Sequence, residues 1–540
     1  MTQGLAIEDV ARLDDLQLKA AGYQQSMPRQ FSIWSLGALS FTLTCTWLGT
    51  GSSVGISLAE ASTAGTVWTL PIAAFMTMIV AAGMAELASA YPVAGAQYYW
   101  SFMVASDGYK EFWSFFTAWI TILGWWLGAA SVSNFISSMA LDIVVAWHED
   151  YEPQHWQQYL IYVALVWLAV AFNILASGFL PLFNKMIFIL SAFTLGATTI
   201  VLFVCARDHH SSASFMFTDT RSQSGWSSDG WTFMLAVGNA VYAYLGSDCG
   251  AHLCEEIPNP AKNVPVVILY PLLIGLITTI PFAIALVYSV QDIAAVFNST
   301  TGVPLFEIYY QGTGSRAAAS VLLAFFAFCF FGCLVAVATT SSRTLWAVSR
   351  DGALPWSQFW MGIHPVFKMP LNAMLLSGTC ISIYGVIFIG STTAFSAMAS
   401  AAIVLQQTSC VIPQAILLYR GRDKVLPQRY FNLGRLGAPI NAISVAWVGF
   451  LDVLYCLPTV FPVTPQNMSW VSVVCVGLVV FVIVLWFTTK RGEFTGPHID
   501  FDLLNARRMD AVHGGVPAEA QSNSGGSIKC AGSRSIPHLD

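Results

Sequence analysis

Twelve separate runs of apolar residues, each near the roughly 20 residues a helix needs to cross about 30 Å of hydrocarbon, limit what this chain can fold into. They lie near 33–59, 66–90, 112–143, 157–176, 184–206, 231–252, 266–289, 316–342, 371–390, 395–418, 440–460 and 469–489, and are numbered here as segments 1 to 12. Inside a bilayer an unpaired backbone N–H or C=O is costly, so each run is predicted to be helical. The expected fold class is an all-α polytopic membrane protein. The 32–489 region then forms the membrane domain, between an N-terminal tail (1–31) and a C-terminal tail (490–540) rich in Gly and Ser that reads as disordered.

Several function classes fall away at once. Only 10% of residues are charged, against about 25% in soluble proteins, and no basic stripe offers itself to nucleic acid. The 11 cysteines are scattered mostly singly through apolar runs with no CxxC pair, which marks small core residues rather than a metal site. The loop "HEDYEPQH", with His148 and His155, lacks the HExxH arrangement and reads as solvated. A membrane-embedded enzyme would need a histidine with an acid or nucleophile partner at membrane depth. His252 alone is well placed and has no Ser or Cys arranged as a triad, so the chain is not read as an enzyme.

Basic residues set the orientation. The first 30 residues are too polar and acidic for a cleaved leader, so segment 1 is expected to act as the first anchor, with both termini cytoplasmic. On that topology every Lys and Arg except Arg207, Arg221 and Arg316 falls on the inner side, as the positive-inside rule requires. The sequons at Asn298 and Asn467 fall outside, where glycosylation is possible.

Segments 1 and 6 carry residues that a membrane helix ordinarily avoids. In segment 1, "LGTGSSVG" sets Gly49, Gly51 and Gly55 around Thr50, Ser52 and Ser53, and the helix is expected to unwind there. Unwound backbone at that depth belongs beside a cavity, where a half-helix start offers free N–H groups to an anion. The alternative is a small-residue surface for close helix packing. Segment 6, "NAVYAYLGSDCGAHLCEEIPNPAKNVP", is broken likewise by Gly246 and Gly250 and places Asp248 at membrane depth, with His252, Glu255 and Glu256 towards its inner end. Two interrupted helices five segments apart point to a secondary transporter with its site at the midplane.

The stretches "GYQQSMPRQFSIWSLGALSF", "GTGSSVG", "MAELASAYPVAGAQYYW", "GSDCGAHLCEEIPNPAKNVP" and "SSRTLWAVSRDGALPWS" resemble the fungal amino-acid, GABA and choline permeases of the amino acid–polyamine–organocation superfamily. The resemblance covers nearly the whole membrane part. It implies a LeuT-like fold of two inverted five-helix repeats plus two further helices, alternating access, and a small amine-bearing substrate. Carried over, Thr50, Gly51, Ser52 and Ser53 would receive a carboxylate, and Tyr244, Leu245, Gly246, Ser247 and Asp248 would form the segment 6 side, with Tyr242 as a gate. Many relatives read Gly-Tyr-Asp where this chain has Gly246-Ser247-Asp248, which would widen the pocket and leaves a bulkier, alkaloid-like metabolite open. A receptor on the same fold would keep the same site.

Two ion couplings are compatible with the segments, beside exchange or facilitated flow. Protons would use Asp248 or Glu255 as carrier, with no other cofactor. Sodium would use Ala336, Thr339 and Thr340, which match the A-x-x-T-T spacing of related folds, although paired hydroxyls are also common interhelical glue. His252, Glu255 and Glu256 read as an inner-gate cluster, Glu86 as a tie at the inner end of segment 2, and Asp452 as packing or an oligomer contact. The plasma membrane is the default location for such a permease.

Overall fold

The computed structural model describes residues 7–148, 150–299, 303–465, 467–497 and 499, and these are helical with no strand among them. Among the described residues ten helices are long and apolar enough to cross a membrane. The two remaining apolar runs are segments 1 and 6, and both are broken. Segment 1 consists of Ile33–Thr44 and Thr46–Ser52, then runs on from Val54. Segment 6 consists of Asp229–Val241, a tight turn at Tyr242–Tyr244 and the short helix Cys249–His252. The last part of segment 1, from Val54, and segment 2, which ends at Ala90, are two helices that meet at a sharp kink, where Ala61 (φ −144°) and Ser62 (φ 52°) leave helical geometry.

Four of the first five segments pack on the segment five places further along. Segment 1 meets segment 6, segment 2 meets segment 7 (Pro260–Ser289), segment 3 (Lys110–Trp147) meets segment 8 (Arg316–Arg350), and segment 4 (His155–Leu175) meets segment 9 (Leu371–Gly390). Each partner lies five segments further along the chain, the arrangement that two repeats produce.

The expected unwinding of segment 1 at Gly49–Gly55 needs correction. The helix runs unbroken through Gly49 and Gly51, and the break lies one turn earlier, at Cys45, in left-handed backbone (φ 38°, ψ 53°). A second irregularity falls at Ser53. Gly49 instead permits a crossing: a Cβ there would stand 2.6 Å from the Cα of Ala243. Segments 1 and 6 therefore touch backbone to backbone. Gly49→Val is expected to cost about 3 kcal/mol or more, at or beyond the upper end for overpacking, and to abolish the monodisperse peak in fluorescence-detected size exclusion.

The boundaries of the tails also shift. Residues 490–497 pack on the body: the Lys490 ammonium donates to the Gly352 carbonyl at 3.2 Å, and Phe494 is buried against Phe115 and Trp486. The rest of the expected disordered tail, apart from residue 499, lies outside the described residues. At the other end a helix, Ile7–Ala20, and the strap that follows it dock beside segment 6, where the Asn259 N–H donates to Asp14 at 2.9 Å.

Candidate functional site

Both breaks open onto one cavity of about 60 Å³ between segments 1, 3, 6, 8 and 10. Segment 1 contributes Leu43, Thr44, Cys45 and Gly49, and segment 6 contributes Tyr242, Leu245 and Gly246. Gly246 sits at φ +78°, a backbone conformation that glycine adopts without strain. Cys45 has no such freedom. Left-handed backbone at a non-glycine costs about 1–3 kcal/mol and persists where surroundings hold it. The Cys45 N–H still donates to the Phe41 carbonyl at 2.8 Å, and the Cys333 thiol of segment 8 donates to the buried Leu43 carbonyl at 3.2 Å.

Aromatic faces from Trp125, Tyr242 and Phe330 line the cavity, with Gln406 as its chief polar side chain. Behind Gln406 lies Asp248, 1% exposed. Its carboxylate accepts from the Gln406 amide at 2.7 and 2.9 Å and from the Gln97 amide, and His252 Nε2 stands 3.3 Å away. The other His252 nitrogen faces the Ala94 carbonyl at 3.3 Å. The acid is thus one side chain removed from the cavity, in a network that holds a titratable pair. Neither Gln97 nor Gln406 stood out in the sequence; the only signal was the polar "QQ" within the apolar run "AAIVLQQTSC".

The other anticipated site residues lie elsewhere. The hydroxyls of Thr50, Ser52 and Ser53 donate to their own helix at Thr46 and Gly49 carbonyls (2.8 to 3.0 Å), and a Cβ on Gly51 would meet the Phe326 ring. None of these four lines the central cavity. The Tyr244 hydroxyl turns to the Leu70 carbonyl of segment 2 at 3.2 Å, and Ser247 is buried outside the lining. Thr339 and Thr340 donate to the Val335 and Ala336 carbonyls of segment 8, and Thr339 also to Asn173. The side chain that faces the segment 1 break is Cys333, one to two turns away.

Two closures bound the cavity. On one side Tyr242, whose hydroxyl lies 3.2 Å from Ser131, is shared between the cavity and a vestibule of about 230 Å³ that also takes in Ser53, Asn239 and Tyr455. On the side of the N-terminal strap, ion pairs seal the end of segment 6. Glu255 accepts a two-pronged Arg350 guanidinium at 2.9 and 3.0 Å plus the Ala94 N–H, and Glu256 accepts from Arg343 at 2.9 Å and from Gln30 at 2.8 Å. Arg350 stacks on Tyr23 at 3.7 Å, while Asp351 accepts from the Tyr23 and Tyr98 hydroxyls. Burial raises the Asp351 carboxyl above its ordinary range, partly offset by Arg350 and the two hydroxyls. Glu86 is held by Arg422 and Arg429, and Asp452 by Thr408. Asn298 is exposed on one connecting segment and Asn467 half-buried on another.

Residues 31–481 match the amino acid permease family. The chain belongs to that family. The permease is a multi-pass membrane transport protein, not an enzyme. It is 29% identical over 490 residues to the choline transporter of Saccharomyces cerevisiae, a match covering 90% of this chain and 86% of that one. It is 28% identical over 498 residues to the amino-acid permease BAT1 of Arabidopsis thaliana, covering 89% and 96%. It is also 26% identical over 489 residues to the swainsonine transporter of Arthroderma benhamiae, covering 89% and 95%.

Proposed function

We propose that the permease is a proton-coupled secondary transporter that carries a small amine-bearing solute (an amino acid, GABA, choline or a related amine) through the cavity at the two breaks by alternating access. The observation that carries this reading is the buried Asp248–His252 pair joined to the cavity wall through Gln406. Aromatic side chains attract a cationic amine by about 0.5–2 kcal/mol each, and carbonyl oxygens at the breaks suit the N–H groups of an amino substrate or the positive surface of a quaternary one. Protonation of the Asp248 network would release Gln406 to reorient, which links proton and solute. Tyr242 serves as the outer gate and the Glu255 and Glu256 ion pairs as the inner one. Sodium is disfavoured because the side chain facing the segment 1 break is the Cys333 thiol, a poor ligand for a hard cation, while the Thr339 and Thr340 hydroxyls lie one to two turns away. On this proposal both termini lie in the cytoplasm of a plasma-membrane protein, with Asn298 and Asn467 open to glycosylation outside.

A second reading has its own support. One relative is named as a swainsonine transporter, which makes a larger specialised metabolite the alternative solute for the same site. Competitive uptake in transport-deficient cells decides, using labelled amino acids, GABA, choline and polyamines with and without an uncoupler and with sodium replaced. Saturable uptake of one amine, lost with uncoupler and indifferent to sodium, is the expected outcome. A silent panel favours the larger metabolite, and a sodium requirement removes the proton mechanism.

A further inference from the structure

A second cavity, of about 510 Å³, opens on the outer surface of the bundle between the first half of segment 1, segment 5 (Leu180–Cys205) and segment 7. Its walls are apolar, among them Phe41 and Ile274, and a Cβ on Gly37 would meet nothing within 4 Å, so the groove reaches the segment 1 backbone. Towards the starts of the helices it carries the amphipathic rings of Trp34 (82% exposed) and Tyr270 (60% exposed) together with Lys185. Exposed Trp and Tyr of this kind mark the headgroup level of a bilayer.

Lys185 is the informative residue. A cation within a membrane segment is costly and ordinarily pairs with an acid. The arginines that close this end of the bundle, Arg343, Arg350, Arg422 and Arg429, are each paired with an acid, whereas Lys185, at the start of segment 5, is exposed, has no ion-pair partner among the described residues, and shares the groove with no acidic side chain. An exposed lysine at this depth extends towards the interface and leaves its charge to be met from the lipid. The start of the Ile33–Thr44 helix, with its positive dipole end beside Trp34, adds to the same potential.

We infer that this groove is a binding site for one anionic phospholipid, its acyl chain along Phe41 and Ile274 and its phosphate at Lys185, in the leaflet where segments 1, 5 and 7 begin on the topology proposed above. A lipid so seated braces the half of segment 1 that ends at the Cys45 break. Lipid retention does not depend on which solute is carried, so its test stands apart from the transport reading.

The test is native mass spectrometry of the purified full chain, equilibrated with equimolar phosphatidylserine, phosphatidylcholine and ergosterol. The wild type is expected to retain phosphatidylserine about fivefold over phosphatidylcholine, the factor that ~1 kcal/mol per basic side chain at a bilayer surface corresponds to. Lys185→Gln is expected to retain the two phospholipids equally. Gly37→Leu, which fills the groove without touching Lys185, is expected to lower retention of both. Equal retention by the wild type, preferential retention of ergosterol, or a preference for phosphatidylserine that survives Lys185→Gln would each overturn the inference.

Discussion

Asp248→Asn is expected to lower uptake about a hundredfold, equivalent to about 2.7 kcal/mol, the scale for unsettling a buried charge held by hydrogen bonds. The carboxylate accepts from two amide donors, Gln97 and Gln406, and Gln406 reaches both of its oxygens. An asparagine keeps one acceptor and turns its NH₂ on Gln406, so two donors oppose each other in a buried site. Gln406 then loses the orientation it holds in the cavity wall. The charge that would carry a proton is lost as well, so the uptake that remains is expected to be the same with and without an uncoupler. A purely structural role would lower uptake and leave that ratio unchanged, which is what the paired assay distinguishes.

Arg343→Met has the second large effect, and it acts on the inner closure. Arg343 and Glu256 are each 1% exposed, so removing the guanidinium strands a carboxylate that, among the described residues, keeps only Gln30 as a side-chain partner. Breaking a buried pair from one side costs about 3–5 kcal/mol. The thermal unfolding midpoint should fall accordingly, and uptake with it, because the strap from Tyr23 to Phe31 is fastened through Glu255 and Glu256. The double variant Glu256→Gln, Arg343→Met removes both charges and is expected to recover more than half of the lost stability. A double variant as damaged as the sum of the singles would show that the two residues do not act as a pair.

Much of this fold was legible in the sequence because lipid imposes a simple rule: long apolar runs must be helices. The break in segment 6 was legible for a related reason, since Gly246 interrupts an apolar run beside an acid. The segment 1 break was not. Its left-handed residue is Cys45, and nothing in composition marks a cysteine for that conformation, whereas the glycines nearby serve close approach to Ala243 and Phe326. Gln97, Gln406 and Cys333 escaped notice because their roles arise only where distant helices meet. Arg343 and Arg350 counted in the sequence as orienting charge, and folding turns them into the partners of Glu256 and Glu255.

The claim that the cavity between the two breaks is the transport site is tested most directly by filling it. Gly128 of segment 3 lines that cavity, and a Cβ there meets nothing within 4 Å. A leucine at this position should therefore fold normally and occupy the space. The decisive measurement is initial-rate uptake by purified Gly128→Leu in proteoliposomes, with thermal unfolding as the control for folding. The account predicts a wild-type midpoint with uptake reduced to background. Wild-type uptake by the folded variant would contradict it and move the solute pathway away from segments 1 and 6.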